Sequence, residues 1–356
     1  MKKKNIVKKL LSVILSAATM FSLLTLPAHA IIPGEDAYGG QEDGYIRVDL
    51  EKKTTTFIPK TEIPQFDGTC TYDALNPADR SRLDTVNMTI LNELSQNISG
   101  NGSNPAAVVD GEYYYVSPTY NQYSGVVLIT TWRNNVLLKH GTGFLLDNRT
   151  VMTALHMLYE YADSNSSDEF DLSVILSDEI RVYYNVSEDL MRSSASETSA
   201  ALLTFLNSDD AQYITMSNLV YSSAVNPPNN GNDDNYDWLL GKLSTPLTGR
   251  YYWNCAIPTG TLQGKTSYVV GYPETHLLKM TETSGTVVAV VSDQSSLDRN
   301  KILYTNSNED GLSGGPMYSE WGGVKCYGVH IGFSNNYAVA VKIYEDLFNV
   351  IVDYME

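Results

Sequence analysis

From Val108 onward the chain is a succession of short apolar runs broken by turn residues, and that texture points to all-β packing. Gly125-Val126-Val127-Leu128-Ile129-Thr130-Thr131-Trp132 and Asn135-Val136-Leu137-Leu138-Lys139-His140 are two such runs. A stretch of about 250 residues with this pattern suits two packed barrels in one structural unit.

Two segments precede it. Lys2, Lys3, Lys4, Lys8 and Lys9 lead into an apolar run from Leu10 to Leu26, closed by Pro27-Ala28-His29-Ala30. A basic start, an apolar middle and an A-x-A end predict a secretory signal peptide over 1–30, cleaved after Ala30. Ser12, Ser16, Thr19, Ser22 and Thr25 interrupt the run and weigh against a membrane anchor. The product is therefore expected to be secreted and extracellular, with no stable membrane insertion once the signal is removed. Residues 31–106 read as a propeptide or accessory segment, with Leu83, Val86, Ile90, Leu91 and Leu94 at helical spacing and Gly100-Asn101-Gly102-Ser103-Asn104 as a linker. Residues 107–245 are expected to hold the first barrel, with a long insertion at 157–231. Within the insertion, Ser187 to Asn207 reads as a helix and Asn226 to Asp234 as a solvated acidic loop without regular calcium-ligand spacing. Residues 246–356 supply the second barrel and a final helix marked by Ile343, Leu347, Ile351 and Tyr354.

The formal net charge is −17, and loss of the five lysines of the signal makes it more negative. Nucleic acid and anionic membranes are thereby disfavoured as partners, and acidic substrates are repelled at long range. Cys70, Cys255 and Cys326 leave one thiol over in any pairing. Cys255–Cys326, Cys70–Cys255 and three unpaired thiols all stay open; no close Cys/His spacing supports a metal site.

The chemistry-bearing signal is Asp310-Gly311-Leu312-Ser313-Gly314-Gly315-Pro316. Gly311 allows a bend that points backbone N–H groups where the Ser313 hydroxyl points, an anion site beside a nucleophile. A serine hydroxyl needs a base. Gly141-Thr142-Gly143-Phe144-Leu145-Leu146, a polar turn, and Val151-Met152-Thr153-Ala154-Leu155-His156 read as strand, turn, strand, ending on His156. Asp237, rather than its loop neighbours Asp233 and Asp234, directly precedes the apolar run Trp238-Leu239-Leu240 and is placed at a buried strand edge.

These blocks, in the order His, Asp, Ser, resemble the trypsin-like (chymotrypsin-fold) serine endopeptidases. Gly271-Tyr272-Pro273 and Gly328-Val329-His330-Ile331-Gly332 are similar to segments of their bacterial V8-like glutamyl endopeptidase branch. The resemblance implies two packed six-stranded antiparallel β-barrels and a C-terminal helix packed on the second. It also implies a catalytic His156, Asp237 and Ser313, an oxyanion hole from the N–H groups of Gly311 and Ser313, and no cofactor. The substrates it implies are proteins or peptides, cleaved by a monomer. His330, Asn308 and Phe333 fall at the substrate pocket, with His330 matching the histidine that meets a Glu or Asp side chain.

Three departures stand out. Phe333 follows Gly332 where relatives have a second glycine, and Glu309 and Asp310 lie where relatives have small residues. Leu312 cannot pair with a new N-terminus, which argues against salt-bridge activation. Two other readings are testable: a non-catalytic binding protein on the same fold, and the G-x-S-x-G elbow of α/β-hydrolases, which needs a helix after the serine.

Overall fold

The computed structural model describes residues 44–64, 107–108, 113–160, 175–184, 186, 202, 205, 206, 208, 211–224, 233–258, 260–274, 276, 279–291, 300–321, 323–334 and 337–355. The signal segment, the 78–95 helix, the linker and Cys70 lie outside them, as does most of the 157–231 insertion. Of the helix expected over 187–207, Leu202, Phe205 and Leu206 are described, all helical and buried.

Turn chemistry starts the first barrel. Strand β5 (Val126–Arg133) and strand β6 (Val136–Leu145) are joined by Asn134 and Asn135, both at positive φ (49° and 62°). That is the two-residue hairpin whose twist matches paired strands, and asparagine tolerates it. The next turn is held by Asp147: one carboxylate oxygen accepts from the N–H groups of Arg149 and Thr150 (both 2.6 Å), the other from the Thr150 hydroxyl (2.9 Å). Strand β7 (Thr150–Thr153) follows, buried throughout, and beyond it β8 (Tyr159–Glu160) and β9 (Ile175–Leu176) form a separate two-stranded pair.

With β10 (Glu179–Tyr183), β11 (Tyr213–Ser222) and β12 (Leu239–Leu243), these strands run in the order β10-β5-β6-β7-β12-β11, and pairing of β10 with β11 closes the ring. The second ring comprises β13 (Thr266–Gly271), β14 (Thr281–Val290), β15 (Lys301–Tyr304), β16 (Pro316–Ser319), β17 (Lys325–Ser334) and β18 (Tyr337–Lys342), ordered β13-β16-β17-β18-β15-β14 and closed by β13–β14. Each is a closed six-stranded antiparallel barrel, as expected, but β10 and β11 of the first come from within 157–231, so that stretch supplies two barrel strands and is not an insertion throughout. Val269, Val287, Ile302, Tyr304 and Met317 are among the residues filling the second.

Each barrel carries an annexed hairpin. Strands β1 (Gly44–Asp49) and β2 (Thr54–Pro59) come from the block read as a propeptide or accessory segment. β1 lies antiparallel to β11 from Tyr45↔Ser222 to Asp49↔Asn218, and Tyr45, Ile46, Val48 and Ile63 are buried. On the second barrel, β3 (Ala107–Val108) and β4 (Tyr113–Tyr115) pair outward from β14. These two strands, assigned from sequence to the first barrel, thus extend the sheet of the second. Register explains it: Tyr115, Tyr114 and Tyr113 match Thr281, Glu282 and Thr283 in turn.

The C-terminal helix, Glu345–Met355, buries Leu347, Phe348, Val350, Ile351 and Tyr354. Two of its polar contacts run to the first barrel and to the turn after its hairpin. Tyr354 OH donates to the Asn218 carbonyl of β11 (2.8 Å), and Lys60 pairs with Asp346 (2.5 Å). Cys255 and Cys326 sit opposite each other in a parallel bridge, both buried as free thiols. Among the described residues, no helix is long and apolar enough to cross a membrane, and no three His, Cys, Asp or Glu side chains gather as a cation site.

Candidate active site

The register of two strands builds the acid–base pair. β12 lies beside β7 with Leu239 opposite Thr153. Continuing that register past both strand ends brings Asp237 alongside the short 3-10 turn Leu155–Met157, which carries His156. The carboxylate grips this turn twice. Asp237 Oδ1 accepts the backbone N–H of His156 at 2.8 Å, and Oδ2 lies 2.6 Å from the ring Nδ1. Asp237 is 8% exposed. Burial raises its pKa, but the His156 charge, the ring hydrogen bond and the backbone N–H groups of His156 and Leu155 outweigh that and hold it below the ordinary carboxylate value. Trp238 anchors the next position: it is fully buried and donates its indole N–H to Tyr344 OH at 3.0 Å.

The serine turn is pressed against the same barrel through Thr142. The Thr142 N–H donates to the Ser313 carbonyl (2.8 Å), and its hydroxyl donates to the Gly311 carbonyl (2.7 Å) while accepting from the Tyr272 N–H (3.0 Å). Its carbonyl takes the Thr153 hydroxyl at 2.7 Å. One threonine thus ties the serine turn, β13 and β7 together. Gly314, at φ +85°, leaves no room for a side chain: a Cβ would stand 2.0 Å from the Thr142 carbonyl oxygen and 3.0 Å from the Ala154 nitrogen, two residues before His156. Gly311, at φ +93°, is equally confined by the Tyr272 carbonyl oxygen at 2.2 Å.

Within this turn the N–H groups of Leu312, Gly314 and Gly315 each go to a backbone carbonyl. Those of Gly311 and Ser313, the two expected oxyanion donors, go to none among the described residues. After the turn the chain enters strand β16, so the serine does not sit on a strand–serine–helix elbow.

His330 on β17 is bound to the turn by its backbone: its carbonyl accepts from the Gly314 N–H (2.8 Å) and its N–H donates to the Gly315 carbonyl (2.9 Å). Its ring is wholly buried. Nε2 lies 2.7 Å from Asn308 Oδ1 and Nδ1 lies 2.5 Å from Tyr304 OH. Tyr304 carries no motif around it in sequence, being a buried residue at the end of β15; Thr142 has a signal, its place between two glycines. Phe333 is 57% exposed on β17, opposite Ala338. Of the remaining histidines, His140 is half-buried and His276 lies 3.4 Å from Glu309 and against the Tyr113 ring.

Burial, reinforced by the charge of His156, lowers the His330 pKa to about 3. The sign of the consequence follows from linkage. Above pH ~6.5 the ring is neutral in both folded and unfolded chains and contributes nothing. Below that value the unfolded chain gains a proton that the folded chain refuses until about pH 3. Stability should therefore fall by up to about 1.4 kcal/mol per pH unit across that window. Urea unfolding of wild type and His330→Gln at pH 7, 5.5 and 4 checks this: the variant should show the shallower decline, and parallel declines would refute it.

No protein-family model and no curated protein matches the chain. Among solved structures it is similar to a Glu endopeptidase in complex with MPD, at 20% identity over 70% of this chain and 98% of that one, with a TM-score of 0.47. It is also similar to an inactivated protease paralogue of the scabies mite, at 17% identity over 66% of this chain and 95% of that one, with a TM-score of 0.42. The fold itself stands on the strand pairings: two antiparallel barrels, each closed at six strands, with one C-terminal helix.

Proposed function

We propose that the chain is a secreted serine endopeptidase working through Ser313, His156 and Asp237. The observation that carries this reading is the two-point clamp of Asp237 on His156, built beside a glycine-flanked serine turn. In the proposed reaction the Ser313 hydroxyl attacks a peptide carbonyl as its proton passes to His156 Nε2. Asp237 keeps the ring's proton on Nδ1 and stabilises the imidazolium. The N–H groups of Gly311 and Ser313 receive the developing oxyanion, where loss of one donor typically costs about 2.7–4 kcal/mol. Protonation of the leaving amine by His156 yields an acyl-enzyme, which water then hydrolyses. The chemistry calls on no cofactor, and the working form is proposed as an exported monomer acting on proteins or peptides.

The specificity carried by the resemblance, cleavage after Glu or Asp, would require His330 to meet a carboxylate. Activation by removal of an N-terminal segment belongs to the same reading; if it occurs, it does not use a new N-terminus paired beside Ser313, because Leu312 is apolar and fully buried there.

Labelling with a fluorophosphonate probe tests the activity. The wild-type protein should react and Ser313→Ala should not. Absence of Ser313-dependent labelling in the folded, processed protein would favour a non-catalytic binding protein on the same fold.

A further inference from the structure

The ring of His330 cannot offer what a carboxylate substrate needs. A neutral imidazole has one donor nitrogen and one acceptor nitrogen. Asn308 Oδ1 can only accept, so Nε2 carries the hydrogen; Nδ1 is then bare and Tyr304 OH donates to it. Both nitrogens are spent on neutral partners, a phenol and an amide. Tyr304 is fully buried, so its hydroxyl has no water to turn to in place of the ring.

The charges nearby are of the wrong sign for an acidic side chain. Glu309 and Asp310 follow Asn308 directly, and the Glu309 carboxylate lies 3.4 Å from the His276 ring. The His156 ring supplies positive charge only while it holds the catalytic proton. Burial opposes charging His330 itself, and the His156 charge adds to that opposition.

Asn308 is only half-buried. With its carbonyl oxygen committed to His330, its amide NH2 remains as a donor at the outer end of the Tyr304–His330–Asn308 chain. A donor held by a neutral relay suits a neutral acceptor. Resting on the endopeptidase reading above, we infer that Asn308 selects for the carboxamide of glutamine, rather than the carboxylate of Glu or Asp, as the residue before the scissile bond.

The test uses four matched quenched peptides that differ only at that residue, Gln, Glu, Ala or Lys, with the exported, processed protein as enzyme. The Gln peptide should exceed the Glu peptide in kcat/KM by at least about tenfold. Asn308→Asp keeps an oxygen for His330 Nε2–H and replaces the outward donor by an acceptor. In that variant the Gln peptide should fall by at least about tenfold and the Lys peptide should rise. Asn308→Ala, checked for a wild-type melting transition, should bring Gln down to the level of Ala. A wild-type enzyme that cuts Glu or Lys peptides as well as Gln, or that reacts with the fluorophosphonate yet cuts none of the four, overturns the preference alone. Absence of both cleavage and Ser313-dependent labelling sinks the endopeptidase reading and the preference with it.

Discussion

Asp237→Asn should lower kcat on the order of 10⁴-fold while the protein stays folded. The reason lies in which oxygen does what. Asp237 Oδ1 is held by the His156 backbone N–H at 2.8 Å, and Oδ2 faces Nδ1 at 2.6 Å. In an asparagine the remaining oxygen must stay on the backbone donor, since an NH2 group there would meet another N–H. That forces the amide nitrogen toward the ring, where it donates to Nδ1. The proton then moves to Nε2, the nitrogen that has to accept from Ser313, and the base is disabled without loss of packing. Steady-state kinetics on a fluorogenic peptide, with melting curves for both proteins, decides the matter. A variant within tenfold of wild type would remove Asp237 from the proposed triad. Asp237→Ala is a poorer probe, because it strips the backbone N–H of its acceptor and disturbs the turn itself.

The second large effect concerns stability. A chain lacking residues 44–63 should lose its cooperative unfolding transition or melt far below the full chain. Tyr45, Ile46, Val48 and Ile63 are buried, and at about 1.5–3 kcal/mol each their burial contributes about 6–12 kcal/mol as an upper estimate. Domains of ordinary stability hold only about 5–15 kcal/mol. The loss would also bare Asn218–Ser222 of β11, leaving an unpaired sheet edge prone to association. The Lys60–Asp346 pair is partly exposed at both ends and adds little. Scanning calorimetry of the shortened chain is the check. A transition as sharp and as high as that of the full chain would show the hairpin to be expendable and fit its removal with a propeptide. If instead the chain is cut between residues 64 and 107, the hairpin should remain bound to the barrel, visible as one mass under native conditions and two under denaturing ones.

The contrast between the two barrels' annexes shows how far local pattern reaches. The Asp147–Thr150 turn, the buried β7 and the fully buried Trp238-Leu239-Leu240 were all readable, because each is settled by residues within a few positions of one another. β1 was not. Its apolar residues at 45, 46 and 48 do not reveal that the partner lies some 170 residues away. Nor do they show that β11 divides one edge between β10, at Tyr213–Thr215, and β1, at Asn218–Ser222. The assignment of residues 107–115 to the first barrel missed for the same reason: proximity in sequence favoured one barrel, and strand register with β14 chose the other.

The candidate site divides along the same line. Glycines at 311 and 314 are local necessities, because positive φ favours glycine there, and the serine between them, the histidine after an apolar strand and the aspartate before one are legible as neighbours along the chain. What the side chains meet was decided by barrel closure. Folding brings β15 against β18 and β18 against β17, and only then do Tyr304 and His330 touch. Whether that histidine greets a substrate as a charge or as a neutral relay depends on burial and on two partners 26 and 22 positions away. Sequence alone determined which atoms are available for chemistry. The tertiary structure determined their protonation and their company, because desolvation and hydrogen bonding are properties of enclosed space rather than of chain order.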